Sequence, residues 1–264
     1  MREIKDTEDR RPLPDAEADG IIEGRNAVIE ALRTETAIDK IYIAKGETDK
    51  TLGHIASKAR AAGIVVVDAD RRKLDAMSRT HAHQGVIALA AVREYATVEQ
   101  ILQSAAARGE APLLVVCDEI SDPHNLGAIL RSALLCGAHG VIIPRRGGVG
   151  VTGTVMKASA GAAARLPVAR VANIGETIRR LKDQGVFVYC ADMDGVPLRK
   201  NNLTGPIALV LGSEGSGVSQ LVKKLCDGVV RLDMAAQGTG VDSFNVSVAA
   251  GIILYEIQSQ RAGE

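Results

Sequence analysis

Residues 113–144 read LLVVCDEISDPHNLGAILRSALLCGAHGVIIP. The run Leu113–Cys117 is apolar without alternation, as a parallel strand covered on both faces must be. A polar loop follows. An apolar helix is then expected over 126–137, and a second unbroken apolar strand over 140–143. A strand, a helix and a strand in this order make one β-α-β unit. The same alternation continues toward the C-terminus, with strands expected at 168–171, 186–191, 207–211 and 229–232. Helices are expected at 154–164, 174–184, 217–226 and 244–259. This pattern implies an α/β domain with a mostly parallel sheet over 112–264.

Working back from this domain, residues 93–111 look like a linker with a connecting helix and a turn. Residues 21–92 form a smaller α/β unit. Helices are expected at 25–32 and 52–62, and strands at 41–43, 64–67 and 86–89. Residues 1–20 (MREIKDTEDRRPLPDAEADG) are charged, contain proline and have few apolar side chains, which predicts a disordered arm.

Composition narrows the function. The chain has 264 residues, 46% hydrophobic and 24% charged, with zero formal net charge. It has no Trp, two Phe and four Tyr, too few for the stacking platforms of single-strand binders. Zero net charge argues against a nonspecific nucleic-acid coat but leaves room for local patches such as Arg71-Arg72-Lys73, Arg145-Arg146 and Lys223-Lys224. Cys117, Cys136, Cys190 and Cys226 are scattered and form no CxxC pair. The five His have no zinc-ligand spacing, so no metal is expected. Cys117 and Cys190 read as small core residues of a reducing compartment. No apolar run reaches the length of a membrane span, and the N-terminus is polar, so a cytoplasmic, non-membrane protein is expected.

Three segments stand where α/β sheets place ligands, just after predicted strands. The first runs from Asp118 to Arg131. Asn125 there is a good helix N-cap, and capping alone would account for it. Arg131 falls among Ile129, Leu130, Ala133 and Leu134, so it needs a partner or an exit to water. The second is Leu211-Gly212-Ser213-Glu214-Gly215-Ser216-Gly217. Its glycines permit close backbone approach, but no Gly-Lys-Ser/Thr follows, so it is not a P-loop. The third runs from Leu232-Asp233-Met234 through 235–241 to Asp242-Ser243-Phe244-Asn245-Val246-Ser247. There Ser243 and Asn245 straddle a helix start, where unpaired N–H groups favour anionic ligands.

Together, in this order, the three segments resemble the signature motifs of the SpoU (TrmH-like) branch of the SPOUT methyltransferases. Asn125 to Arg131 matches N-L-G-x-x-x-R, Gly212 to Gly217 matches G-x-E-G-x-G, and Ser243 onward matches S-x-N-V-S-x-A. The smaller unit, with Glu23-Gly24-Arg25-Asn26-Ala27-Val28, resembles the family's ribosomal-protein-like substrate-binding domain. Phe244 stands where many relatives carry Leu, and the stretch from Met234 to Ser243 is longer than in many of them.

The resemblance implies an α/β catalytic domain with a C-terminal trefoil knot, a homodimer, and S-adenosylmethionine as cofactor. It implies methylation of a ribose 2′-OH in RNA. The RlmB-like group is the nearest, so the implied target is a guanosine of 23S rRNA. A tRNA enzyme of the same family is the alternative. By the same resemblance Gly212, Leu232, Met234 and Phe244 contact the cofactor. Arg131 is the key catalytic residue, and Asn125, Glu214, Ser243 and Asn245 orient Arg131 and the ribose. A sulfonium is an activated methyl donor, so positioning and proton removal are the remaining tasks.

Two other readings compete. Gly148-Val149-Gly150-Val151-Thr152-Gly153 fits GxGxxG, with Glu176 downstream, as in nucleotide-dependent oxidoreductases. Pro144-Arg145-Arg146 separates those glycines from the preceding strand, against that reading. A noncatalytic RNA-binding relative is the other, and the intact polar set argues against it.

Overall fold

In a computed structural model, residues 20–34, 36–46, 49–91, 93–235 and 243–263 are described. The chain divides into two units. One runs to Glu94 and includes Thr152–Thr154. The other comprises Tyr95–Val151 and Val155–Glu264.

The first unit holds a four-stranded sheet, β1 (Ile21–Glu23), β2 (Ile38–Ala44), β3 (Val65–Ala69) and β4 (Val86–Ala90), in the order β1-β4-β2-β3. β4 is antiparallel to β1 and β2, and β2 is parallel to β3. Period-2 alternation gives the sheet two apolar faces. Ile41, Ile43, Val86 and Ala88 pack on α1 (Arg25–Arg33) and α2 (Lys50–Ala61) through Val28, Leu52 and Ile55. Ile87, Tyr42 and Leu89 pack on α3 (Arg71–Met77) through Leu74 and Met77. The basic run Arg71-Arg72-Lys73 is thus the first turn of a helix. Asp70 caps it by accepting the Lys73 N–H at 2.8 Å. Neither β1 nor α3 was expected.

The second unit holds six parallel strands: β5 (Leu113–Cys117), β6 (Gly140–Pro144), β7 (Val168–Val171), β8 (Phe187–Pro197), β9 (Ile207–Leu211) and β10 (Gly228–Arg231). Their order is β10-β8-β9-β5-β6-β7. The unbroken apolar runs now have their reason. Leu113, Val115 and Cys117 enter one core with Ile207, Leu209 and Leu211. Leu114 and Val116 enter the opposite core with Ala208 and Val210. α5 (Pro123–Leu135) and α10 (Val246–Ala262) cover the first face through Leu126, Ile129, Leu130, Ile253 and Leu254, and pack on each other. Full burial of such a side chain contributes roughly 1.5–3 kcal/mol. α4 (Val98–Ala107) and α8 (Ile174–Asp183) cover the second face through Ile101, Ile178 and Leu181.

Three elements differ from expectation. The helix expected at 154–164 is two pieces, α6 (Gly153–Ala158) and α7 (Ala162–Arg165). Between them Ala160 and Gly161 turn left-handed, at φ 49° and 85°. The helix expected at 217–226 shortens to α9 (Gln220–Leu225). β8 runs on to Pro197, and its register with β10 jumps between Val229, opposite Cys190, and Val230, opposite Val196. No described helix is long and apolar enough to cross a membrane.

Candidate active site

The three sequence motifs meet at the ends of β5 and β9 and the start of α10. α5 begins one turn earlier than its apolar pattern suggests. Asp122 is the N-cap, accepting the His124 N–H at 3.0 Å, and Pro123 takes the first helical position. Asn125 is therefore inside the helix and caps nothing, which corrects the capping alternative for that residue. Its buried side chain is free to turn sideways, and its Nδ2 donates to Glu214 Oε1.

Asn245 supplies the third corner. Its Nδ2 donates to Glu214 Oε1 at 2.8 Å and to Asn125 Oδ1 at 3.1 Å. Its Oδ1 accepts the N–H of Ser247 at 2.9 Å and the Ser247 hydroxyl at 2.7 Å. It also accepts the Val248 N–H, at 3.4 Å. Asn245 is thus the cap of α10. One side chain closes the helix and joins the two other motifs. Two amide donors converge on one carboxylate oxygen, and charge-assisted bonds of this kind are stronger than neutral ones.

The loop that carries Glu214 is closed at its base. Ser213 N–H donates to Gly217 O at 3.1 Å, and Gly217 N–H donates to Ser213 O at 2.9 Å. Gly212 sits under this closure. A Cβ there would lie 2.0 Å from the Gly217 carbonyl carbon and 2.1 Å from the Val218 nitrogen, so no side chain fits without moving backbone. Gly127, in the first motif, has a similar cause. A Cβ would meet that of Ala158, the last residue of α6, at 2.5 Å.

Asp118 was not singled out by sequence reasoning. It is buried at the end of β5. Its backbone N–H donates to Leu211 O at 2.7 Å, and its Oδ2 accepts the Ser219 N–H at 2.9 Å. It therefore pins both flanks of the Glu214 loop to β5. An acid placed directly at the end of a five-residue apolar strand was the available signal.

The remaining predicted residues are not drawn into this network. Arg131 is exposed, six residues along α5 from Asn125, which is about 9 Å of rise and about a third of a turn away in facing. It takes the exit to water and has no hydrogen bond or ion pair among the described residues. Ser243 is exposed and likewise makes no hydrogen bond among them. Leu232 is half-buried against the core of the first face, Met234 is half-buried, and Phe244 is 42% exposed. Residues 236–242 lie outside the described residues, and with them most of the 235–241 run. Among the described residues no cluster of three or more His, Cys, Asp or Glu could hold a metal ion.

The GxGxxG reading fails on geometry. After β6 the chain bends through 145–150, and Val149 N–H donates to Ile120 O at 2.9 Å. The next helix, α6, begins only at Gly153 and has six residues. The fingerprint's glycine turn straight from strand to helix is absent there.

With this geometry in view, comparison with known proteins is decisive. The sequence model of the SpoU rRNA Methylase family matches residues 112–255. The chain belongs to the SpoU rRNA Methylase family. The model of the RNA 2′-O ribose methyltransferase substrate-binding domain matches residues 21–96. YacO of Bacillus subtilis, assigned to the TrmH family of tRNA/rRNA methyltransferases, is 41% identical over 239 residues, covering 90% of this chain and 94% of its own. The SpoU methyltransferase AviRb from Streptomyces viridochromogenes, solved with S-adenosylmethionine, has the same fold. Its TM-score is 0.59 at 22% identity, covering 97% of this chain and 96% of that one. A Sinorhizobium meliloti rRNA methyltransferase, also with S-adenosylmethionine bound, gives a TM-score of 0.54 at 25% identity, covering 90% and 86%.

Proposed function

We propose that this protein transfers a methyl group from S-adenosylmethionine to a ribose 2′-OH in RNA, at a guanosine of large-subunit rRNA. The observation that carries this reading is the Asn125–Glu214–Asn245 network, in which all three family motifs converge on one carboxylate. Family membership supports RNA methylation, and a match to the substrate-binding domain over 21–96 supports an RNA substrate. The guanosine and the ribosomal target rest on the RlmB-like resemblance.

The residues fit the cofactor. Gly212 keeps backbone where a side chain would fill the loop base, and Leu232, Met234 and Phe244 offer apolar surface. A carboxylate, Glu214, suits a cation nearby. When bound, S-adenosylmethionine supplies an already activated methyl group. Arg131, extended into water, binds a phosphate of the RNA. A guanidinium keeps its proton, so Arg131 and that phosphate together prepare the 2′-OH. Asn125, Glu214, Ser243 and Asn245 orient the ribose. Residues 21–92 present the RNA, and 112–264 carry the chemistry as a trefoil-knotted domain.

The active form is a homodimer. Val248, Ile252 and Tyr255 follow one another at helical spacing along α10 and are 49%, 41% and 63% exposed. Leu135 of the adjoining α5 is 73% exposed. An apolar stripe of this kind, continuous with the elements that build the site, fits a second copy of the chain. The cytoplasm, where ribosomal RNA resides, is the implied location.

Arg131→Ala tests the catalytic reading against a noncatalytic RNA binder. Methyl transfer should fall by at least about hundredfold with S-adenosylmethionine affinity unchanged. Equal RNA affinity and no transfer by either protein would identify a binder.

A further inference from the structure

The three basic runs of the sequence differ in what surrounds them. Lys223 Nζ bonds Asp192 at 2.8 Å and Asp194 at 2.6 Å, and Lys73 Nζ lies 5.4 Å over the ring of Tyr42. Arg145 of the third run lines a cavity. Arg145, directly after β6, lines a space of about 480 Å³ with Arg170 of β7, Arg180 of α8 and Tyr95. The other charged groups on its wall are Glu99 and Glu176, and Glu176 is paired with Arg180 at 2.9 Å.

The arrangement holds one arginine in place. The guanidinium of Arg170 lies 5.4 Å over the Tyr95 ring, and its Nη2 donates to Arg145 O at 3.4 Å. Tyr95 is itself held, its hydroxyl oxygen accepting the Val151 N–H at 2.9 Å. A guanidinium stacked on a fixed ring loses little freedom when it binds, and its fork matches the geometry of phosphate. Arg145 and Arg180 are exposed at the rim, while Arg170 is half-buried. β5, β6 and β7 are adjacent parallel strands, so the ends of β7 and β5 lie about 10 Å apart. Arg145 and Asn173 follow β6 and β7 as Asn125 follows β5.

We propose that this cavity holds a backbone phosphate of the RNA substrate, with Arg170 at its base and Arg145 and Arg180 at its rim. The proposal rests on the RNA methyltransferase reading. The full-length double variant Arg145→Ala/Arg180→Ala tests it. The probe is the deproteinised RNA, rRNA or tRNA, that the unaltered protein methylates, measured for KM, kcat and salt dependence of binding.

KM for RNA should rise about tenfold, and the slope of log affinity against log salt should fall by about 0.7, for one phosphate of a single strand. kcat at saturating RNA and the S-adenosylmethionine Kd should stay unchanged. A wild-type KM and slope in the variant would overturn the proposal. Loss of adenosine monophosphate binding with RNA parameters unchanged would do so too, in favour of a free-nucleotide site. An unaltered protein that binds no RNA would instead sink the function itself.

Discussion

Asn125 and Asn245, 120 residues apart in the chain, are bonded to each other and to the same oxygen of Glu214. Asn245 also caps α10, so removing its side chain would confuse a helix effect with a site effect. Asn245→Asp separates them. Asp caps as well as Asn, but it donates nothing and sets a second carboxylate against Glu214. The variant should remain folded by circular dichroism, with methyl transfer down about hundredfold. Near-normal transfer would show that the network is only structural.

Gly212→Ala addresses the loop base. The added Cβ, 2.0 Å from the Gly217 carbonyl carbon, has to displace backbone. Overpacking of this kind costs about 1–3 kcal/mol. The displaced loop should lower S-adenosylmethionine affinity, read by calorimetry, by about tenfold, or about 1.4 kcal/mol. Unchanged affinity would separate this loop from the cofactor site.

The dimer prediction follows from the exposed stripe on α10. Ile252→Glu places a charge in its middle and should yield a monomer in analytical ultracentrifugation. A monomeric but fully active unaltered protein would contradict the assembly.

His139 makes stability depend on pH. It is buried, its Nδ1 accepts the Leu113 N–H at 3.1 Å, and its Nε2 faces Glu110 at 3.0 Å. The ring is therefore neutral with the proton on Nε2. Burial lowers its pKa below the ordinary 6.5, and Glu110 only partly opposes this. The unfolded chain then binds the proton more readily. The stabilisation is fully present above the unfolded value and is lost as pH falls below it, through the folded pKa. Melting temperature should drop as pH falls through and below the ordinary histidine value of about 6.5, and His139→Asn should flatten that drop. Parallel curves for both proteins would refute the assignment.

The parallel core was legible because burial on both faces leaves an unbroken apolar run, as at Leu113–Cys117 and Ile207–Leu211. β1, with three residues, and α3, with seven, are too short to show a period. The break at Ala160–Gly161 depends on local backbone turns that the Ala-rich sequence does not announce. In the site, Asn125, Glu214 and Asn245 were readable as motif positions. The role of Asn125 was not, because Pro123 and Asp122 start the helix earlier than its apolar period does. Asp118 escaped notice because its work is done through Ser219, 101 residues away.

The most direct test is to incubate the protein with methyl-labelled S-adenosylmethionine and either ribosomal RNA or tRNA, then map the label by nuclease digestion. The account predicts label on a guanosine 2′-O of large-subunit rRNA, in a linkage resistant to alkali because its nucleophile is blocked. Label on tRNA would keep the reaction and move the substrate. Label on a base, or no cofactor binding at all, would contradict ribose methylation.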